Sequence, residues 1–204
     1  MQQNKLDNAL RSTAAAGSNK SNPYYRMIMV KRLLDKGAHI NAKDKDNGLT
    51  ALGLAAQDIN GTEMVKLLLE RGAHVDTTVL ACAINDRFGQ NISPKEVRVI
   101  IGGGNNSPEI LKLLLKNCID LSTVINQKLN GGTTLAMMAS SDWRNIEKLK
   151  LLIDNGADIN ASTENGTTAL KIAAYNENLE AVKLLSEKSA DINAKNNQET
   201  VTIK

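Results

Sequence analysis

Two histidines, two cysteines and a run of three glycines are the residues of this 204-residue chain whose chemistry invites a site. His39 and His74 could ligate a metal, Cys82 and Cys118 could act as thiolates, and Gly102, Gly103 and Gly104 could wrap a phosphate. Their settings argue against each. The histidines follow the same words, Gly37-Ala-His-Ile-Asn and Gly72-Ala-His-Val-Asp. They therefore hold equal places in successive units, about 10 Å apart, whereas a shared ion needs ligands about 2 Å from itself. Cys82 falls on the apolar face of a short helical pattern and reads as a small buried hydrophobe. Cys118 stands where other units have an exit glycine, and neither thiol has a nearby His partner. The glycines lack the Lys-Ser/Thr of a P-loop and the spacing of a dinucleotide fingerprint, so they read as a hinge. Carboxylates are scattered without a convergent pair. The sequence predicts no enzyme, no metal and no cofactor.

What the chain does repeat is a helix and its exit. Met29 to Asn41, Met64 to Asp76, Ile110 to Ser122, Lys148 to Asn160 and Ala181 to Asn193 are close copies, as in Lys148-Leu-Lys-Leu-Leu-Ile-Asp-Asn-Gly-Ala-Asp-Ile-Asn. Each unit needs a similar neighbour to cover its apolar face, so the repeat decides the fold. Upstream of each copy after the first lies a shorter pattern: Thr50-Ala-Leu-Gly-Leu-Ala-Ala, Thr78-Val-Leu-Ala-Cys-Ala-Ile, Thr133-Thr-Leu-Ala-Met-Met-Ala and Thr168-Ala-Leu-Lys-Ile-Ala-Ala. A threonine can cap the helix start, and Leu and Ala at i, i+3 and i+4 give one apolar face. The hydrophobic share of 42% with only 2% aromatics suits helices packed by aliphatic side chains. A net charge of +3, with acids and bases alternating as in Lys43-Asp-Lys-Asp46, offers no basic stripe for nucleic acid. No apolar run approaches the roughly 20 residues of a membrane span.

The exits measure the period. Gly37 to Gly72 is 35 residues, Gly72 to Cys118 is 46, Cys118 to Gly156 is 38 and Gly156 to Ser189 is 33. The third unit is irregular. Thr50 to Thr78 spans only 28 residues, so its leading turn is short, while 18 extra residues lie between its helices, within Asn85 to Ser107. Inside them Ser93-Pro94 resembles a helix start and Gly102 to Gly104 a stop. Cys118 and Ser189 replace exit glycines, at a cost of about 1 kcal/mol each if the left-handed turn is kept.

These phrases resemble the ankyrin repeat family, whose period is about 33 residues. The family pattern has a Val-x-x-Leu-Leu second helix and a Gly-Ala-Asp-(Val/Ile)-Asn exit, and that exit stands complete at Gly156 to Asn160 and, without its glycine, at Ala190 to Asn193. The resemblance implies a single all-α domain over 1–204, a solenoid of about five helix-turn-helix repeats with short β-turn connections. The repeats fall at 5–44, 45–76, 77–127 with the insertion 85–107, 128–162 and 163–196, with a C-terminal remnant at 197–204. The family's Thr-Pro-Leu-His start has lost its Pro to Ala51, Val79, Thr134 and Ala169, and its His to Gly53, Ala81, Ala136 and Lys171. The inter-repeat hydrogen bonds of that His are then absent, which predicts a looser stack. Arg32, where later units carry Leu67, Leu113, Leu151 and Leu184, suits the polar outer face of a terminal repeat.

The resemblance further implies a monomeric protein–protein interaction scaffold that holds its partner on a concave face of turn tips and first-helix ends. Carried over by motif, these positions are Asp46, Asn47, Leu49, Gln57 and Asp58 in the second repeat, and Asn85 and Asp86 in the third. The fourth supplies Leu129, Asn130, Ser140 and Ser141, and the fifth Glu164, Asn165, Thr167, Tyr175 and Asn176. Phe88, Trp143 and Tyr175 follow first helices where the pattern demands no aromatic, and aromatic anchors often carry much of an interface. Phe88 and Trp143 packed beneath their own loops is the competing reading. The competing function is a ligand-binding protein or enzyme whose pocket is built by 85–107. Two cysteines and no signal-peptide pattern point to a reducing cytoplasm, or to export as an effector without a cleavable signal.

Overall fold

The apolar stripes of this sequence fold into eleven helices among the residues that the structure describes. That structure is a computed structural model describing residues 2–15, 22–58, 60–84, 108–128, 132–139 and 146–194. The chain forms two compact bodies, one of residues 1–92 and 104–119, the other of 93–103 and 120–204.

The first body contains α1 (Gln2–Ala14), α2 (Pro23–Asp35), α3 (Ala51–Ala56), α4 (Thr62–Glu70), α5 (Thr77–Ile84) and α6 (Pro108–Lys116). First helices α1, α3 and α5 lie side by side, and each packs on the second helix of its own pair, α2, α4 or α6. Leu10, Leu52, Leu68, Leu80 and Ile110 fill the layer between them. Gly53 lets α3 approach α5 closely: a Cβ there would stand 3.4 Å from the Cys82 sulfur.

The second body contains α7 (Leu121–Asn126), α8 (Thr134–Ala139), α9 (Ile146–Asp154), α10 (Ala169–Tyr175) and α11 (Leu179–Glu187). Here α8 packs on α9 and α10, and α11 on α10 and α9. Ile125, Leu135, Leu149, Leu152, Ala173 and Leu185 are buried in it.

The expected threonine caps form. Thr50, Thr133 and Thr168 accept from the backbone N–H groups of Gly53 at 3.2 Å, Ala136 at 3.1 Å and Lys171 at 3.4 Å. Thr78 does not cap the third repeat. Asp76, two residues earlier, accepts from the Val79 N–H at 3.0 Å, and α5 starts at Thr77. The last residue of one exit thus starts the next helix, which is why the intervening turn is so short. A second departure is α7, where the exit residue Asp120 accepts from the Thr123 N–H at 3.3 Å and opens an extra short helix.

Four exits share one geometry. The Ala38, Ala73, Ala157 and Ala190 N–H groups reach back to the carbonyls of Leu33, Leu68, Leu152 and Leu185. The preceding residue is left-handed in each: Gly37 at φ 88°, Gly72 at 84°, Gly156 at 90° and Ser189 at 68°. Ser189 therefore carries the strain expected of it. Cys118 is not among the positive-φ residues, so it carries no such strain.

Adjacent repeats are hydrogen-bonded despite the missing His. Asn41 accepts from the His74 N–H at 2.8 Å, Asn126 from the Asp158 N–H at 2.7 Å and Asn160 from the Asp191 N–H at 2.8 Å. Asn126 also donates to the Gly156 carbonyl at 3.1 Å. At the start of the chain α1 provides the same pair of bonds with two residues one helical turn apart. Gln3 donates to the Gly37 carbonyl at 2.9 Å and Asp7 accepts from the His39 N–H at 2.8 Å. The first helix thereby stands in for the exit of a preceding repeat, and Arg32 on the neighbouring helix is exposed. Burial pushes the Asp7 carboxyl up, but the His39 amide, the Gln3 amide and the nearby His39 imidazole hold it below its ordinary value.

Two outcomes are expected from these geometries. Ser189→Gly should raise the unfolding free energy by about 1 kcal/mol, whereas Cys118→Gly should give no gain; urea titration of both variants distinguishes them. Because folding depresses the Asp7 pKa, its charge stabilises the fold above the ordinary value of 3.8 and ceases to as pH falls through the lower folded value. The melting temperature of the wild type should therefore exceed that of Asp7→Asn at neutral pH, with the gap closing below about pH 4; a gap independent of pH would contradict this.

Candidate partner-binding surface

Each tip is a backbone turn closed by its own side chains. In the second repeat the Asp44 N–H donates to the Leu49 carbonyl at 2.9 Å, and Gly48 turns the chain at φ 71°. The Asp44 carboxylate accepts from the N–H groups of Asp46 at 3.0 Å and Asn47 at 3.3 Å. Asn47 in turn accepts from the Leu49 N–H at 2.9 Å. The turn leaves Asp46 and Asn47 exposed. Leu49 is not a surface residue; at 2% exposure it is the apolar anchor of the tip.

The other two positions carried over in this repeat are also held inward. Gln57 is half-buried and its amide donates to the Cys82 sulfur at 3.6 Å. Asp58 is buried, 3.3 Å from the Arg26 guanidinium, and accepts from the Asn60 N–H at 2.9 Å. Arg26 completes a knot: it also donates to the carbonyls of Thr13, Ala14 and Ala15 at the C-terminal end of α1. A cation is favoured there by the orphan carbonyls and the helix dipole. Asp58 is therefore a structural counter-ion and not an exposed contact.

In the fifth repeat the Thr163 N–H donates to the Thr167 carbonyl at 2.9 Å, and the Thr163 hydroxyl accepts from the Thr167 N–H at 3.1 Å. A bridge between Ser162 and Thr168 continues this closure. Glu164 and Asn165 are exposed at its tip, while Thr167 is half-buried. At the far end of α10, Asn176 is half-buried and Tyr175 is 91% exposed. Leu179, on the first turn of α11, is 78% exposed and was not anticipated. Its signal was present: it comes directly after the capping Asn178, a position where the equivalent Thr62 is polar. Tyr24 and Tyr25 at the start of α2 are further exposed aromatics that the repeat pattern did not single out. Asn85, Asp86, Phe88, Leu129, Asn130, Ser140, Ser141 and Trp143 lie outside the described residues, as does the whole of 85–107.

Groups with reactive potential are placed as structural ones. Burial pushes the Cys82 thiol far up, so it holds its proton and is no nucleophile at neutral pH. Cys118 is half-buried, with its sulfur 3.8 Å from the Val75 carbonyl. The His39 Nδ1 is 3.3 Å from the Asp7 carboxylate, and the His74 backbone is held by Asn41. Among the described residues no three His, Cys, Asp or Glu side chains come together as a metal-ligand group, and no helix is long and apolar enough to cross a membrane.

A family model described as ankyrin repeats (3 copies) matches residues 7–91 and 99–196. No curated protein matches the chain.

The division between held and exposed positions has a direct consequence. Asp58→Ala should cost about 2 kcal/mol, because it leaves Arg26 partly buried without its anion. Asp46→Ala should stay within about 0.5 kcal/mol of wild type, as at an ordinary surface site. Chemical denaturation of the two variants measures both; equal losses would contradict the division.

Proposed function

The chain belongs to the ankyrin repeat family, and from that premise we propose that it is a non-catalytic scaffold that holds another protein. Its contact residues are Asp46 and Asn47 in the first body, and Glu164, Asn165, Tyr175 and Asn176 in the second. Ankyrin repeats are generally protein–protein interaction modules, which supports the class of function. The observation that carries the placement is Tyr175, a large aromatic left 91% exposed at the end of a short helix. Tyr175 has neither a core nor a capping task, and tyrosine is among the residue types enriched at interface hot spots. Leu179, also exposed, stands at the start of the next helix and enlarges the apolar target. The tips contribute polar and acidic groups, which tune specificity and encounter more than affinity. Two cysteines, one buried and one half-buried, are too few for a disulfide framework and favour a reducing compartment such as the cytoplasm.

Tyr175→Ala should weaken capture of the physiological partner at least tenfold, equivalent to roughly 1.4 kcal/mol or more, with unchanged helical circular dichroism. Affinity purification from the source cells, repeated with the variant, supplies the measurement. Undiminished capture by Tyr175→Ala would place the contact surface elsewhere.

A further inference from the structure

The last helix pair, α10 and α11, carries on its outward side the groups that inner pairs use to hold their successors. Ala174 and Val182 occupy the positions of Ala56 and Val65, which are fully buried; Ala174 is exposed and Val182 half-exposed. Leu184 is half-exposed at the position of the buried Leu67. Glu187 stands where Asp35 and Asp154 pair with Arg71 at 3.1 Å and Lys188 at 2.8 Å in the following repeat. Asn193 stands where Asn41 and Asn160 accept the N–H of the following exit turn. An apolar strip, a carboxylate and an amide at these fixed repeat positions form a stacking surface for one more layer.

We propose that this face is the docking site of the chain's own last ten residues, 195–204. Those residues lie outside the described ones, and the inference stands on the face and on the sequence. They begin directly after Ala194, where an exit turn leads toward the next tip and first helix. Asn197-Gln-Glu-Thr-Val follows the order of Asn165-Gly-Thr-Thr-Ala: a tip Asn, a Thr at the capping place, then an apolar first-helix residue. Val201 and Ile203 supply the apolar groups. Ten extended residues reach up to about 33 Å, against a helix spacing of about 10 Å, so the length suffices to cross both helices. A second copy of the chain would instead meet this face with its own Glu187 and its own uncovered strip, not with the complementary layer.

The test compares the full chain with a version ending at Ala194 and with the double variant Val201→Asp, Ile203→Asp. Amide hydrogen exchange along α11 should rise about tenfold in both. A thiol introduced by Ala174→Cys, in a Cys118→Ser background, should also label faster in both; Cys82 is buried and does not compete. Sedimentation should give a monomer throughout. Unchanged exchange and labelling in both variants overturns the proposal, and so does a wild-type dimer that shields this face.

Discussion

The arrangement depends most on one small contact, the hydrogen bond that a backbone N–H of an exit turn donates to an Asn or Asp side chain of the preceding layer. It recurs between Asp7 and His39, Asn41 and His74, Asn126 and Asp158, and Asn160 and Asp191, at 2.7 to 2.8 Å each. Each is worth only about 1 kcal/mol net, far less than the aliphatic burial between helices. Its importance is directional. Leucine and alanine faces attract without specifying register, whereas an amide oxygen that must meet one particular N–H admits a single offset between neighbours. The same contact ties together features that look unrelated along the chain. It accounts for an Asn or Asp at the exits, for the orientation of the left-handed residue, and for Gln3 and Asp7 in a helix that otherwise resembles a plain cap.

At the end of the second repeat the exit residue is diverted to another task. Asp76 holds the position of Asn41 and Asn160, but its carboxylate caps α5 and lies 2.8 Å from Lys43. A residue that starts its own next helix cannot reach across in the same way. The following exit is altered as well: Cys118 is not left-handed, and Asp120 opens α7. The bridging role is then taken by Asn126, six residues beyond Asp120 at the end of that extra helix. An irregular unit is thus accommodated by moving the polar bridge along the chain, while the geometry of the bridge is kept.

The range over which each interaction acts explains which features were legible in the sequence. Glycine exits, threonine caps and aliphatic stripes act within a few residues, and local chemistry dictates them. The left-handed Ser189 could be foreseen because only one conformation completes an exit whose other three copies carry glycine. By contrast, Asp120-Leu-Ser-Thr-Val-Ile-Asn reads equally well as an exit turn, because Asp favours turns and caps alike. A six-residue helix with only Ile125 buried leaves no periodicity to detect. The inward positions of Leu49 and Asp58 were hidden for a related reason. Leu49 is drawn in by the closure at Asp44 and Asn47, and Asp58 by Arg26, 32 residues earlier in the chain. Motif transfer carries positions between proteins, but not the particular partner that fills them.

What remains free once these obligations are met is what can recognise something else. The turn between α10 and α11 is over-determined. The N–H groups of Glu177, Asn178 and Leu179 donate to the carbonyls of Ala174, Ala173 and Glu177, and Asn178 caps α11 by accepting from the Ala181 N–H at 3.1 Å. Glu177 is held at φ 55°, a conformation that costs a non-glycine residue about 1 kcal/mol or more. Strain of this kind persists only where the surroundings enforce it, so the backbone between Tyr175 and Leu179 has little freedom left to lose. A main chain that is already fixed adds no backbone ordering to the entropic cost of association. The repeat chemistry therefore does more than stack helices: by using up the backbone's options, it leaves Tyr175 and Leu179 projecting from a turn whose main chain is already set.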